Sequence, residues 1–115
     1  MVGLVLVVAR AIVSVPERWA REGYALDAEG HRVKEGYALD AEGKLTFKVN
    51  DAAVKWSMLG AVHVAAGGNK TWENAACNAL GRTIGDNCVS CFNKDPATTH
   101  EMMLAKFDKA IARVR

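Results

Sequence analysis

Two sets of side chains in this chain have the types and spacing to do chemistry. Cys88-x-x-Cys91 lets two thiolates reach one ion from a single turn, and Cys77 with His100 would complete the tetrahedron of a zinc-binding module. Only one Cys-x-x-Cys is present and the steps to Cys77 and His100 are irregular, so the competing reading is that of small buried apolar side chains. Ser57, Asn93 and His100 form the second set, as nucleophile, orienting amide and general base of a small hydrolase-like enzyme. That chemistry needs the imidazole within hydrogen-bonding reach of the hydroxyl. Chain order permits this, but no glycine-framed serine marks a nucleophile elbow. The simpler reading places Ser57 in the first turns of one helix and His100 in the first turn of another, bonded to a neighbouring loop.

The remaining candidates have plainer accounts. His63 lies in a nearly all-apolar helix and reads as a core histidine with one satisfied nitrogen. Asp27, Glu29, Asp40 and Glu42 suggest calcium only superficially, because each acidic turn supplies too few oxygens for the coordination that ion takes. Trp56 and Trp72 read as core rather than as a base-stacking platform, since no basic stripe runs beside them. The glycines at 67 and 68 lack the pattern and the lysine of a phosphate cradle, so no cofactor is expected.

These residues sit in a chain with an internal duplication. Glu22 to Gly30 returns without change at Glu35 to Gly43. Each copy holds Tyr-Ala-Leu before Asp-Ala-Glu-Gly, where aspartate opens a turn by bonding nearby amides and glycine closes it. Each copy therefore reads as a β-hairpin, with Tyr24–Leu26 facing Arg32–Val33 and Tyr37–Leu39 facing Leu45–Val49. Together they would form a meander. An added hairpin brings unpaired strand edges, and Tyr24 and Tyr37 would stand in equivalent places as partner-binding residues. The plain alternative is a tolerated surface insertion.

Elsewhere the patterning is helical. Val5, Val8 and Ile12 favour a helix within Val2–Val15, stopped by Pro16, and Trp19 anchors the following turn. Asn50 or Asp51 is expected to cap a helix that runs to about Ala66 and ends at Gly67-Gly68. Thr71 is expected to cap a shorter helix ending at Gly81. The stretch from Arg82 to Ala97 reads as irregular, with a short strand at Cys88–Phe92. Thr98 with Glu101 has the spacing of a capping box, followed by Met103, Phe107, Ala110, Ile111 and Val114 at amphipathic spacing.

With 115 residues, half of them apolar, the chain suits one domain over 1–115 with a duplicated hairpin segment at 22–47. A net charge of +2 argues for neither nucleic acid nor an anionic membrane. Three cysteines argue against a disulfide framework and for a reducing, cytoplasmic setting. The apolar run from Val2 to Ala9 lacks a basic start and is interrupted by Arg10, far short of the roughly twenty residues that span a bilayer.

Several pieces occur in a familiar order: Pro16-Glu-Arg-Trp19, the Tyr-Ala-x-Asp-Ala-x-Gly hairpin, Ala53-Val-Lys-Trp56 leading into Gly60-Ala61, Phe92-Asn93, and Thr99-His100 before Phe107-Asp-Lys-Ala-Ile111. Together they resemble a family of short bacterial and phage proteins catalogued only as a domain of unknown function. The resemblance covers most of the chain and implies one α-rich domain with no established activity. Two departures stand out. Ser57 occupies a position where the family usually has cysteine, and the hairpin that the family shows once occurs twice here.

The expectation is an α+β fold, a mostly helical small domain with a short antiparallel β-hairpin sheet. The expected function is that of a non-enzymatic binding or accessory protein of bacterial or phage origin, acting through protein contacts. A homodimer is among its forms, with no nucleic acid or membrane as partner.

Overall fold

The computed structural model describes residues 2–21, 25–29, 36–39, 45–48, 53–85 and 87–114, with backbone only for 36–39 and 45–48. Helix α1 (Val2–Ile12) opens the chain, and a 3-10 turn at Pro16–Arg18 follows it. Four short strands come next: β1 (Ala25–Leu26), β2 (Gly36–Leu39), β3 (Leu45–Lys48) and β4 (Lys55–Trp56). Helices α2 (Met58–Ala66), α3 (Lys70–Gly81), α4 (Val89–Lys94) and α5 (His100–Arg113) complete the described elements. The fold is α+β and mostly helical, as its patterning implied. Among the described residues no helix is long and apolar enough to cross a membrane.

The buried apolar side chains form one cluster. Leu6, Ala9 and Val13 reach it from the first segment, and Met58, Ala61 and Val62 from α2. Ala76 and Leu80 of α3 and Met103, Phe107 and Ala110 of α5 close it. Helix α5 supplies this face because its apolar residues recur at three- and four-residue steps, which bring them to one side. Its Val114, expected on that side, is exposed just past the helix end. Trp72, expected with Ala76 and Leu80 on the inner side of α3, is also exposed.

The helix ends were legible in type and displaced in position. Helix α2 starts at Met58 with Ser57 as its cap, because Lys55–Trp56 just before it pair as β4. Asn50 and Asp51, the expected caps, lie outside the described residues. Asn69 rather than Thr71 caps α3, accepting the Trp72 amide. Thr99 rather than Thr98 caps α5, accepting the Met102 amide at 3.1 Å, while Thr98 is buried. Gly67 ends α2 as expected, in a left-handed conformation (φ 60°) that suits glycine.

The described strands cover only part of the expected meander. The second copy of the repeat does form a hairpin, with Tyr37 opposite Phe47 and Leu39 opposite Leu45. In the first copy, Ala25 and Leu26 pair with Trp56 and Lys55 of β4, while Tyr24 and the expected partner strand Arg32–Val33 lie outside the described residues. The two ladders are separate two-stranded sheets. Identical Ala-Leu pairs thus sit in different sheets, because pairing is decided by what lies across a strand rather than by its own sequence. The turn chemistry of the first copy is as expected, since the Glu29 amide donates to the Asp27 carboxylate at 3.0 Å.

Candidate functional site

Helix α4 is short, yet it places one side chain where three distant segments meet. Asn93 is buried, with 2% of its surface exposed. Its Oδ1 accepts the Trp19 indole N–H at 2.8 Å and the Met58 amide at 3.1 Å. Its Nδ2 donates to the Ala20 and Arg21 carbonyls, both at 2.9 Å. A carboxamide has two donor hydrogens and two acceptor lone pairs, so its capacity is filled. The orientation is forced as well. An indole N–H and a backbone amide only donate and carbonyls only accept, so the reversed amide would face like against like.

The elements around this knot follow from local chemistry. Trp19 closes the 3-10 turn by donating its amide to the Pro16 carbonyl at 3.2 Å, and Ala20 donates to Trp56 at 2.9 Å. Helix α2 leaves its first amides without partners inside the helix. Ser57 Oγ accepts that of Gly60 at 3.0 Å, and Asn93 takes that of Met58. His100 at the start of α5 bonds the Val13 carbonyl through Nε2 at 2.8 Å. A carbonyl cannot donate, so Nε2 carries the proton. The imidazole lies 5.9 Å from the Trp19 ring, centroid to centroid, and the Arg21 guanidinium lies 4.7 Å from that ring. Arg21 also donates to the Asp95 carbonyl at 2.8 Å.

Ser57, Asn93 and His100 are therefore drawn into one neighbourhood, with Trp19 between the amide and the imidazole. Their polar atoms hold the fold. Ser57 Oγ caps its own helix, Asn93 is saturated, and His100 tethers the end of the first segment. Among the described residues no hydrogen bond joins Ser57 to His100, the contact that general-base activation of the serine requires.

A second buried polar cluster links α2 to α3. His63 Nδ1 and Glu73 Oε1 lie 2.7 Å apart with both side chains buried, and Lys70 reaches Glu73 Oε2 at 3.3 Å from an exposed position. His63 is the core histidine its setting implied, but burial of Glu73 was not anticipated. Its only sequence signal lies in the steps of three and four to Ala76 and Cys77 along α3. Burial pushes the Cys77 thiol up to about 11, Glu73 adds to the rise, and Lys70 offsets part of it. Cys77 is thus a protonated thiol at neutral pH, which makes it a poor nucleophile and metal ligand.

Cys88 and Cys91 are joined to each other as a disulfide with Cα atoms 5.2 Å apart. This corrects the expectation of a disulfide-free chain. Cys88 caps α4, which stands where a short strand was expected, and one turn of that helix brings Cys91 beside it. In this form neither carries a thiolate for zinc. Among the described residues no group of three or more His, Cys, Asp or Glu side chains, the candidate set of Cys77, Cys88, Cys91 and His100 included, is placed to hold a metal ion. Of the proposed partner-binding residues, Tyr24 lies outside the described residues. Tyr37 is described only as the backbone position in β2 opposite Phe47.

The fold and this cluster define a small α+β protein organised around a buried tryptophan–asparagine contact. Over residues 2–113 the chain matches DUF6197, a family of unknown function, and it belongs to that family. No curated protein and no solved structure matches it.

Three outcomes follow. Asn93→Ala removes partners from two buried N–H groups and two carbonyls together, and should lower the free energy of unfolding by about 3 kcal/mol or more. Trp19→Phe keeps the ring and loses one bond, and should cost only about 1–2 kcal/mol; urea denaturation followed by circular dichroism measures both. Cys77 should alkylate with iodoacetamide roughly a hundredfold more slowly than an exposed cysteine at neutral pH in the folded protein, and at an ordinary rate in denaturant.

Proposed function

We propose that this chain is a non-enzymatic binding protein that acts through protein contacts, and that its first contact is with a second copy of itself along α1. The observation that carries this reading is an apolar stripe on the outer side of that helix. Leu4, Val7 and Val8 are 55%, 45% and 40% exposed, and Val15 beyond the helix end is 44% exposed. Leu4, Val7 and Val8, together with exposed Ala11, recur at helical steps of three and four, so they line one face of α1. The opposite face of α1 is in the core through Val5, Leu6 and Ala9.

An identical chain suits this stripe for an electrostatic reason. The stripe holds no charged residue, so two copies meet across a two-fold axis without like charges facing each other. Arg10, the cation within α1, is held by Asp108 at 2.7 Å. The helical spacing provides ridges and grooves that another helix of the same sequence can fill.

Val8→Glu places a carboxylate in the middle of the stripe at an exposed position. It should leave the monomer within about 0.5 kcal/mol of wild-type stability, because surface substitutions rarely do more. It should weaken self-association by about tenfold or more, because a carboxylate would be buried against Val and Leu. Sedimentation velocity over a wide concentration range gives the answer. A wild-type chain that remains monomeric throughout, or a dimer indifferent to Val8→Glu, contradicts the proposal.

A further inference from the structure

We propose that Cys88–Cys91 is a thiol–disulfide exchange centre, opened by an external thiol that attacks the sulfur of Cys91. Two features of the pair carry this assignment. The first is an asymmetry of access. Cys91 is exposed and Cys88 only partly so, and Cys91 borders a surface cleft with Ile84, Gly85, Phe92 and Asp95. An attacking thiolate needs an open line to the sulfur it strikes, so Cys91 Sγ is the entry point.

The second is the environment of the sulfur that must depart. Cys88 Sγ accepts the backbone N–H of Cys91 at 3.2 Å and lies 3.6 Å from Ser90 Oγ. Both contacts strengthen when that sulfur gains a full negative charge, since hydrogen bonds to an ion are stronger than those to a neutral acceptor. They stabilise the negative charge that Cys88 takes on as it departs, and a better leaving group makes exchange faster. The accessible sulfur and the better leaving group are therefore different atoms, which gives exchange a fixed direction.

The step balances with a thiol of the glutathione class as co-reactant. Its thiolate forms a bond to Cys91 Sγ while the Cys88–Cys91 bond breaks, and the electron pair leaves on Cys88. A second external thiolate then attacks the external sulfur of the mixed disulfide, and Cys91 departs as thiolate. The protein gains two electrons and two protons, and two external thiols become one external disulfide. The reverse sequence reoxidises the pair. Neither step uses Cys77, whose protonated thiol is held on α3.

Exchange also bears on the knot. Cys91 is two residues before Asn93 on the same short helix, so the bond that opens lies within a turn of the side chain that holds Trp19 and Met58.

The test is incubation of the native chain in graded mixtures of reduced and oxidised glutathione, with acid quenching, alkylation and peptide mass spectrometry. The wild-type disulfide should open without denaturant, and early quenches should find glutathione on Cys91 at about tenfold or more the level on Cys88. In a Cys77→Ser background, Cys88→Ser should accumulate a lasting glutathione adduct at Cys91, and Cys91→Ser should accumulate far less at Cys88. Three results overturn the proposal: a disulfide that stays closed until denaturant is added, a pair that stays reduced across the whole series, or equal adducts on both sulfurs. The early wild-type quenches decide the matter even if a variant fails to fold.

Discussion

A carboxamide buried away from water is costly unless each of its polar atoms is bonded, and the Asn93 amide meets that condition with four partners from two separate stretches of chain. Its bonds to Trp19, Ala20 and Arg21 fix the extended segment that follows the 3-10 turn. Its bond to Met58 fixes the first turn of α2. Because indole N–H, backbone amide and carbonyls impose opposite demands, only one orientation of the amide serves all four. The position of α4 follows from this, and so does the close approach of the segment at Trp19–Arg21 to β4.

That constraint determines what the reactive side chains can do. His100 is held by the Val13 carbonyl and packed against Trp19, and Ser57 is spent as a helix cap, so the residues nearest to a hydrolytic triad serve the frame. His63 and Glu73 satisfy each other between α2 and α3, and their surroundings keep Cys77 protonated. The features turned outward are different ones: the apolar stripe of α1, and the cysteine pair on the same short helix that carries Asn93. The apolar stripe and the cysteine pair thus belong to the surface, and the buried polar groups to stability.

Much of the frame was legible because it rests on periodicity and on residues with few conformational alternatives. The face of α5 was readable from Met103 to Ile111, the stop at Pro16 from its ring, and the end of α2 from Gly67-Gly68. What could not be read depends on distance in three dimensions. Thr98 and Thr99 are chemically alike as caps, and burial of the first decides for the second. Val89 to Phe92 has the composition of a strand, but a helix lets Asn93 reach Trp19 and Cys88 cap Cys91. The partner of Ala25-Leu26 lies some thirty residues away at Lys55–Trp56, beyond any local turn signal. The site was half legible: the simpler reading of His100, in the first turn of α5 and bonded to a neighbouring loop, matches its bond to Val13, whereas Asn93 was singled out only as a catalytic group, since nothing local revealed Trp19 as its partner.

Hydrogen exchange of the native protein, followed by nuclear magnetic resonance, tests the central claim most directly. If the Asn93 amide holds the frame together, the Trp19 indole N–H and the Met58 amide exchange only through global unfolding, with the same free energy as the amides of α5 around Phe107. If either exchanges at the rate of an open loop while α5 stays protected, the knot opens independently of the core, and the frame does not depend on it.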